Sequence, residues 1–182
     1  MRIIAGTAKN KSIKCRKGTE TRPTLDRVKE ALFSKIQPYV EDCSILDLFS
    51  GTGNIALEAI SRGAKRAIMI EKDQEALKII IENVNSLGFE NKCRAYKNEV
   101  SRAIEILGRK GEKFDIIFMD PPYRENVCTE VIKKIEKNGI LSDGGLIICE
   151  HHLHERLDQE IVGYKKVDEK SYGKKTLTFY TK

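Results

Sequence analysis

The 182-residue chain predicts a doubly wound α/β fold, a mostly parallel sheet held between helices. Three observations predict it. From Ser44 onward, short β-prone runs alternate with helical segments. Runs such as Ile116-Ile117-Phe118-Met119 are continuously apolar, as strands buried on both faces are. The acids Asp47, Glu71 and Asp120 stand at strand ends, and such folds bind ligands outside the carboxyl ends of their strands, where the strand order reverses.

Parallel strands are expected at 44–48, 66–71, 92–96, 114–120 and 145–150, with helices near 54–61, 74–87, 100–107 and 127–137. The tail changes style. Segments 162–167 and 176–181, separated by a charged turn containing Gly173, read as an antiparallel hairpin that brings the sheet to seven strands. At the other end, residues 2–6 and 12–15 flank Ala8-Lys9-Asn10-Lys11 and read as a β-hairpin. Leu25, Val28, Leu32 and Ile36 then recur at helical spacing, with Thr24 as cap and Pro38 as stop. Residues 1–38 are thus expected to form a hairpin and helix extension, and 39–182 the main domain, of one folded unit.

Composition narrows the class. A hydrophobic fraction of 40% is ordinary for a globular chain, and no apolar run approaches the roughly 20 residues of a membrane span. Lys9 and Lys11 interrupt the amino terminus too soon for a secretory signal, so a cytoplasmic address is expected. The five cysteines are odd in number, scattered and never in a C-x-x-C pair, which speaks against a disulfide framework or a zinc site and for buried thiols. His151, His152 and His154 contain no helical i, i+4 pair and read as an exposed strand-end loop, so no metal is expected. The net charge of +6 is localised: residues 1–30 carry nine Lys/Arg against three Asp/Glu, and the remainder is balanced. A polyanion contact and a solvated arm both account for such a segment.

Two motifs carry chemistry. Asp47-Leu48-Phe49-Ser50-Gly51-Thr52-Gly53-Asn54 places glycines directly after the first parallel strand, where a ligand must approach bare main chain. The Gly51-x-Gly53-x-x-Ala56 spacing, with Glu71 downstream, also satisfies the dinucleotide fingerprint, so a dinucleotide-dependent oxidoreductase is one reading. Asp47 favours another, because its charge suits a cationic ligand and repels a pyrophosphate. The second motif, Asp120-Pro121-Pro122-Tyr123, follows the fourth parallel strand. Successive prolines donate no backbone hydrogen bond and leave carbonyls to accept one, so an amine can donate to the Asp120 carboxylate and the Pro121 carbonyl. Tyr123 offers a face on which a base stacks, a contact worth roughly 1 to 3 kcal/mol.

These segments resemble the class I S-adenosylmethionine-dependent methyltransferases that act on amino groups of bases. Adding Arg2-Ile3-Ile4-Ala5-Gly6, Arg22-Pro23-Thr24 with Asp26-Arg27, Phe33, Leu57-Glu58-Ala59 and Ser61-Arg62-Gly63-Ala64, the chain is similar more narrowly to the bacterial 16S ribosomal RNA (guanine-N2)-methyltransferases over nearly its whole length. The resemblance implies a Rossmann-like class I methyltransferase domain, S-adenosyl-L-methionine as cofactor, and 16S ribosomal RNA, free or within an assembling 30S particle, as substrate. It implies catalytic roles for Asp120, Pro121 and Tyr123. Cofactor binding would fall to Asp47, Ser50, Gly51, Gly53, Glu71, Lys72, Glu99 and Asp120, and RNA binding to Arg2, Lys9, Lys11, Lys14 and Arg22. Glu99 stands where the family usually has an Asp for the adenine amino group. A DNA adenine-N6-methyltransferase, whose related loop usually begins with Asn, is the nearest alternative, and a non-catalytic RNA-binding module the most distant.

If the basic arm grips phosphates, neutral replacements at Lys9, Lys11 and Lys14 should each flatten the log-log salt dependence of RNA binding by roughly 0.7 to 0.9. Filter binding across a salt series measures this, and unchanged slopes assign the arm another purpose.

Overall fold

Alternation of apolar runs and amphipathic segments produces α1 (Pro23–Val40), β1 (Ser44–Asp47), α2 (Asn54–Ser61), β2 (Arg66–Glu71), α3 (Gln74–Leu87), β3 (Cys93–Lys97), α4 (Val100–Arg109), β4 (Phe114–Met119), α5 (Val127–Asn138), β5 (Leu141–His152), β6 (Glu160–Ile161), β7 (Tyr164–Tyr172) and β8 (Lys175–Thr181). The structure, a computed structural model, describes residues 1–15, 23–122 and 126–182, the first three of α1 by backbone alone. Arg22 and Tyr123 therefore lie outside the described residues.

The strands form one sheet in the order β3-β2-β1-β4-β5-β8-β7-β6. Strands β1 to β5 pair in parallel, β8 joins β5 antiparallel, and β7 and β6 continue antiparallel. The expected doubly wound sheet is present, and the two-residue β6 adds an eighth strand. Strand order reverses between β1 and β4. Because side chains alternate across a strand, each central strand feeds two cores. Ile45, Met69, Ile116, Phe118 and Ile148 pack with α1, α2 and α3 on one face. Leu46, Ile68, Ile70, Ile117, Met119 and Ile147 pack with α4 and α5 on the other. No helix among the described residues is long and apolar enough to cross a membrane.

Four local expectations change. Helix α1 runs through Pro38 to Val40, whose side chain is completely buried. The proline removes one backbone donor in a final turn with only two residues left to hold, and core packing of Val40 outweighs that loss. Strand β5 is longer than the apolar run, because its pairing with β8, from Ile147 opposite Tyr180 to His152 opposite Lys175, carries it into polar sequence. His151 and His152 consequently belong to β5 and not to a strand-end loop. His151 is buried, its Nε2 lying 2.8 Å from Thr178 Oγ1. Strand β7 starts only at Tyr164, since Val162 and Gly163 take the positive φ of the tight turn after β6. Of the five cysteines, four are buried and Cys15 is partly so.

The amino-terminal arm folds back as expected, but with a single antiparallel bridge, Arg2 opposite Ser12. Its anchorage is helix α2. Glu58, fully buried, accepts the backbone N–H of Ile4 at 2.8 Å and of Ala5 at 3.0 Å, and the Arg62 Nε at 2.8 Å. Ser61 accepts the Ala8 N–H at 2.9 Å and donates to the Ala5 carbonyl at 2.6 Å. Gly6 between them has φ +82°, and a Cβ there would stand 1.7 Å from the Ser61 carbonyl oxygen, so only glycine permits this approach. Lys29 of α1 completes the joint, its Nζ 3.0 Å from Glu58, 2.6 Å from the Arg2 carbonyl and 2.8 Å from Asn54 Oδ1. Burial holds the Lys29 pKa below the ordinary lysine value despite the opposing pull of Glu58.

Removing one member of such a pair strands the other charge. Glu58→Ala should cost about 3 to 5 kcal/mol in denaturant unfolding, and a loss below about 1 kcal/mol would show that water relieves Lys29.

Candidate active site

The reversal of strand order opens a crevice at the carboxyl ends of β1, β2, β4 and β5, roofed by α1. It contains a cavity of about 340 Å³ whose walls include Asp47, Ser50, Gly51, Glu71 and Asp120, five of the residues singled out in the sequence. That volume lies within the range of small-molecule and cofactor sites, roughly 300 to 1,000 Å³.

Asp47 ends β1 and is 1% exposed. The Phe49 backbone amide hydrogen-bonds its carboxylate, yet Oδ1 has no partner among the described residues. Burial pushes its pKa up to about 7, and Asp120 and Glu71 add repulsion that the Phe49 and Ser50 hydrogen bonds only partly oppose. An orphaned, fully buried carboxylate oxygen on a cavity wall is a seat for a donor that carries positive charge.

The glycine loop is held open around it. Ser50 Oγ donates to the Asp47 carbonyl at 2.8 Å, and the Gly53 N–H closes the turn on the Ser50 carbonyl at 2.7 Å. Gly51 has φ +55° with nothing within 4 Å of where a Cβ would stand, so its main chain faces open space. Gly53 does not line the cavity. Its φ is +81°, and a Cβ would meet Met69 Sδ at 3.1 Å, so it seats the loop on β2 at the start of α2. Glu71, at the end of β2, braces the same loop: Oε2 accepts the Gly51 N–H at 2.9 Å and Oε1 the Asp73 N–H at 2.8 Å. Asn83 of α3 ties loop to arm, donating to the Thr52 carbonyl at 3.0 Å and accepting the Lys14 N–H at 2.7 Å.

Asp120 follows β4 directly and faces Asp47 across the reversal point; Pro121 behind it is buried and Pro122 exposed. Two residues that sequence reasoning missed share its wall. Lys175, first residue of β8, lies with Nζ 3.1 Å from Asp120 Oδ2 and also pairs with Glu150 of β5. Burial raises the pKa of Asp120 even though Lys175 opposes the shift, and it raises Glu150 to about 7, with Asp120 as the next cause. Burial alone would lower Lys175, but Glu150 and Asp120 outweigh it and hold the ammonium above its ordinary value. Glu150 ends the fifth predicted strand, so the strand-end rule that marked the other three acids applied to it as well.

The remaining predicted residues fall elsewhere. Lys72 and Glu99 are exposed and off the cavity wall, Glu99 at the amino-terminal end of α4. Lys9 and Lys11 are exposed on the arm, while Arg2 stands 3.8 Å from Asp26 and Lys14 pairs with Glu82 at 2.7 Å. The described residues contain no cluster of three or more His, Cys, Asp or Glu arranged to hold a metal ion.

Five parallel strands with the order reversing at β1 and β4, extended by an antiparallel pair and carrying an acid and a glycine loop at the reversal, define the Rossmann-like fold of the class I methyltransferases. Within that class, the chain belongs to the family described as Conserved hypothetical protein 95, whose model matches residues 1–181. It is 34% identical over 180 residues to the Escherichia coli protein named Ribosomal RNA small subunit methyltransferase D, covering 99% of this chain and 89% of that one. It is 33% identical over 182 residues to Bacillus subtilis YlbH, covering 100% and 99% of the two chains. The solved structure of Escherichia coli yhhF superposes with a TM-score of 0.88 at 32% identity, over 99% of this chain and 96% of that one.

A folded-state Asp47 pKa near 7, against an ordinary 3.8, means the unfolded chain releases this proton first as pH rises. Its contribution to stability is therefore greatest below pH 3.8 and falls away up to about pH 7. Asp47→Asn removes that dependence and should stabilise the ligand-free protein at pH 8, relative to pH 4, by up to about 4 kcal/mol over wild type. Urea unfolding at the two pH values measures it; parallel curves for the two proteins would mean that water solvates Asp47.

Proposed function

We propose that the protein is an S-adenosyl-L-methionine-dependent methyltransferase that acts on the exocyclic N2 of a guanine in 16S ribosomal RNA, in the cytoplasm. The observation that carries this reading is an orphaned Asp47 carboxylate sharing one cavity with Asp120, the residue that opens the Asp-Pro-Pro segment.

The cavity suits the cofactor. Asp47 Oδ1 would hold the cationic ammonium of its methionyl end, the bare main chain of Gly51 would leave room for the adenosine, and Glu71 retains acceptor capacity for ribose hydroxyls. A pyrophosphate would instead meet Asp47, Glu71, Asp120 and Glu150 at close range, which disfavours the dinucleotide reading. When bound, the cofactor supplies an electrophilic methyl group. The protein's own work is to orient the nucleophile: Asp120 and the Pro121 carbonyl accept the two hydrogens of the base amine and turn its lone pair out of conjugation with the ring. Tyr123 stacks on the base, which has to be unpaired or flipped to enter. Asp120 also accepts a proton as the amine becomes cationic, so no covalent enzyme intermediate is needed.

The family and the loop support the particular target. The Escherichia coli relative is named for the small-subunit ribosomal RNA, and the loop begins with Asp120, where adenine-directed enzymes with a related loop usually carry Asn. The arm of residues 1–15, with Lys9 and Lys11 exposed, supplies positive charge for the RNA backbone.

Incubation with labelled S-adenosylmethionine and either 16S RNA or 30S particles, followed by nucleoside analysis, should yield N2-methylguanosine. N6-methyladenosine as product, or no transfer, overturns the reading. Asp120→Ala should cut transfer by about 100-fold or more, a loss larger than any fall in cofactor affinity measured by calorimetry; retained turnover removes Asp120 from the mechanism.

A further inference from the structure

We propose that Lys175, held between Glu150 and Asp120, is a positioning residue that fixes the Asp120 carboxylate toward the substrate amine. This inference rests on the methyltransferase reading above, and it assigns to β5 and β8 a part in the chemistry that the glycine loop and the Asp-Pro-Pro-Tyr segment do not reveal.

The geometry is that of a clamp. Lys175 Nζ contacts Asp120 Oδ2 at 3.1 Å and pairs with Glu150, so one ammonium bridges two carboxylates. Glu150 is buried and only 19% of the Lys175 side chain is exposed, whereas Asp120, at 36%, reaches furthest toward solvent. All three line the cavity that holds Asp47 and Gly51. The lysine occupies Oδ2 of Asp120 and leaves Oδ1 to accept an N–H from the base. Glu150 in turn fixes the lysine, since a flexible four-carbon stem tethered at a second point cannot swing away. Neighbouring strands hold both anchors: Glu150 is paired with Leu177 of β8, two residues from Lys175.

The charges around Asp120 explain why the clamp is needed. Facing its cavity are the acids Asp47 of β1, Glu71 of β2 and Glu150 of β5, with Lys175 of β8 and Lys29 of α1 as the cations. Lys29 is already engaged by Glu58, the Arg2 carbonyl and Asn54. Lys175 is therefore the cation that opposes burial at Asp120, and burial still leaves the carboxyl raised. An Asp120 that protonates accepts the amine hydrogen more weakly and cannot take up the proton that the methylated amine must lose. Lys175 thus sets both the direction and the charge of this carboxylate, acting through Asp120 without touching the reacting atoms.

The test compares Lys175→Met, Lys175→Arg, Glu150→Gln and the Lys175→Met/Glu150→Gln double variant with wild type. Each is checked by circular dichroism and by calorimetric titration with S-adenosylmethionine, and methyl transfer to 16S RNA is followed from pH 6 to 10. Lys175→Met should bind cofactor within a few-fold of wild type and move the acid limb of the rate upward, so that it falls below wild type on the acid side and recovers as pH rises; a limb displaced by one unit is about a tenfold loss below it. Lys175→Arg should restore most of the rate. Glu150→Gln removes a like charge from Asp120, so it should move the acid limb downward, and the double variant should lie between wild type and Lys175→Met. A Lys175→Met enzyme with the wild-type rate and pH profile overturns the inference, as does a loss that is the same at every pH and is not relieved by Glu150→Gln. Should Lys175→Met fail to fold, Lys175→Gln takes its place: an acid limb moved upward supports the clamp and an unmoved limb overturns it. A wild-type protein that transfers no methyl group defeats the methyltransferase reading together with this one, whereas an active wild type beside an unaltered Lys175→Met defeats this one alone.

Discussion

The site depends on a carboxylate taken out of water without full compensation. Asp47 sits at the end of β1, at the point where strand order reverses, with one oxygen unpartnered among the described residues. Three further acids, Glu71, Asp120 and Glu150, line the same cavity from neighbouring strand ends. A parallel sheet brings these residues together because its carboxyl ends share one edge, and the fold must hold like charges there against their repulsion. Two devices do so. Backbone amides satisfy Glu71, and a lysine from the antiparallel strand β8 bridges Asp120 and Glu150. Asp47 is left for a ligand.

The rest of the chain can be understood as support for that edge. The arm does not stand apart from the sheet: Ile3 and Ile13 enter the same core as Val28, Phe33 and Ile60, and Glu58 and Ser61 stitch its backbone to α2. Lys29 ties α1 to both and lines the cavity from above. Asn83 joins the arm to the glycine loop. A segment proposed to contact RNA is thereby in mechanical continuity with the cofactor loop, through buried hydrogen bonds that would be costly to leave unmade.

Much of this was legible in the sequence, and the reasons differ by element. The helices α2 and α3 fall at 54–61 and 74–87, in the gaps between strands where they were expected, started by Gly53 and the Asp73 cap and stopped by Arg62-Gly63 and Gly88. Five of the expected cofactor residues gather at one cavity because a strand-end position in a parallel sheet is a spatial statement. Contacts that depend on pairing across the sheet were not legible. Strand β5 extends through Glu150 and His152 only because β8 lies beside it, and no local pattern marks Lys175 as the partner of Glu150 and Asp120. His151 reads as exposed in a polar run, yet Thr178 across the ladder satisfies its ring and permits burial. Lys29 and Glu58 look like surface charges of two amphipathic helices until the arm closes over them.

The central claim is that the orphaned Asp47 oxygen receives the cationic end of an adenosyl amino acid and that Asp120 then faces the reactive sulfur. A crystal structure with S-adenosylhomocysteine tests it most directly. The account requires the ligand's ammonium within hydrogen-bond distance of Asp47 Oδ1, its adenosine over Gly51, and its sulfur directed at the Asp120 carboxylate. A ligand seated away from Asp47, or reversed so that its adenine occupies that corner, would contradict it.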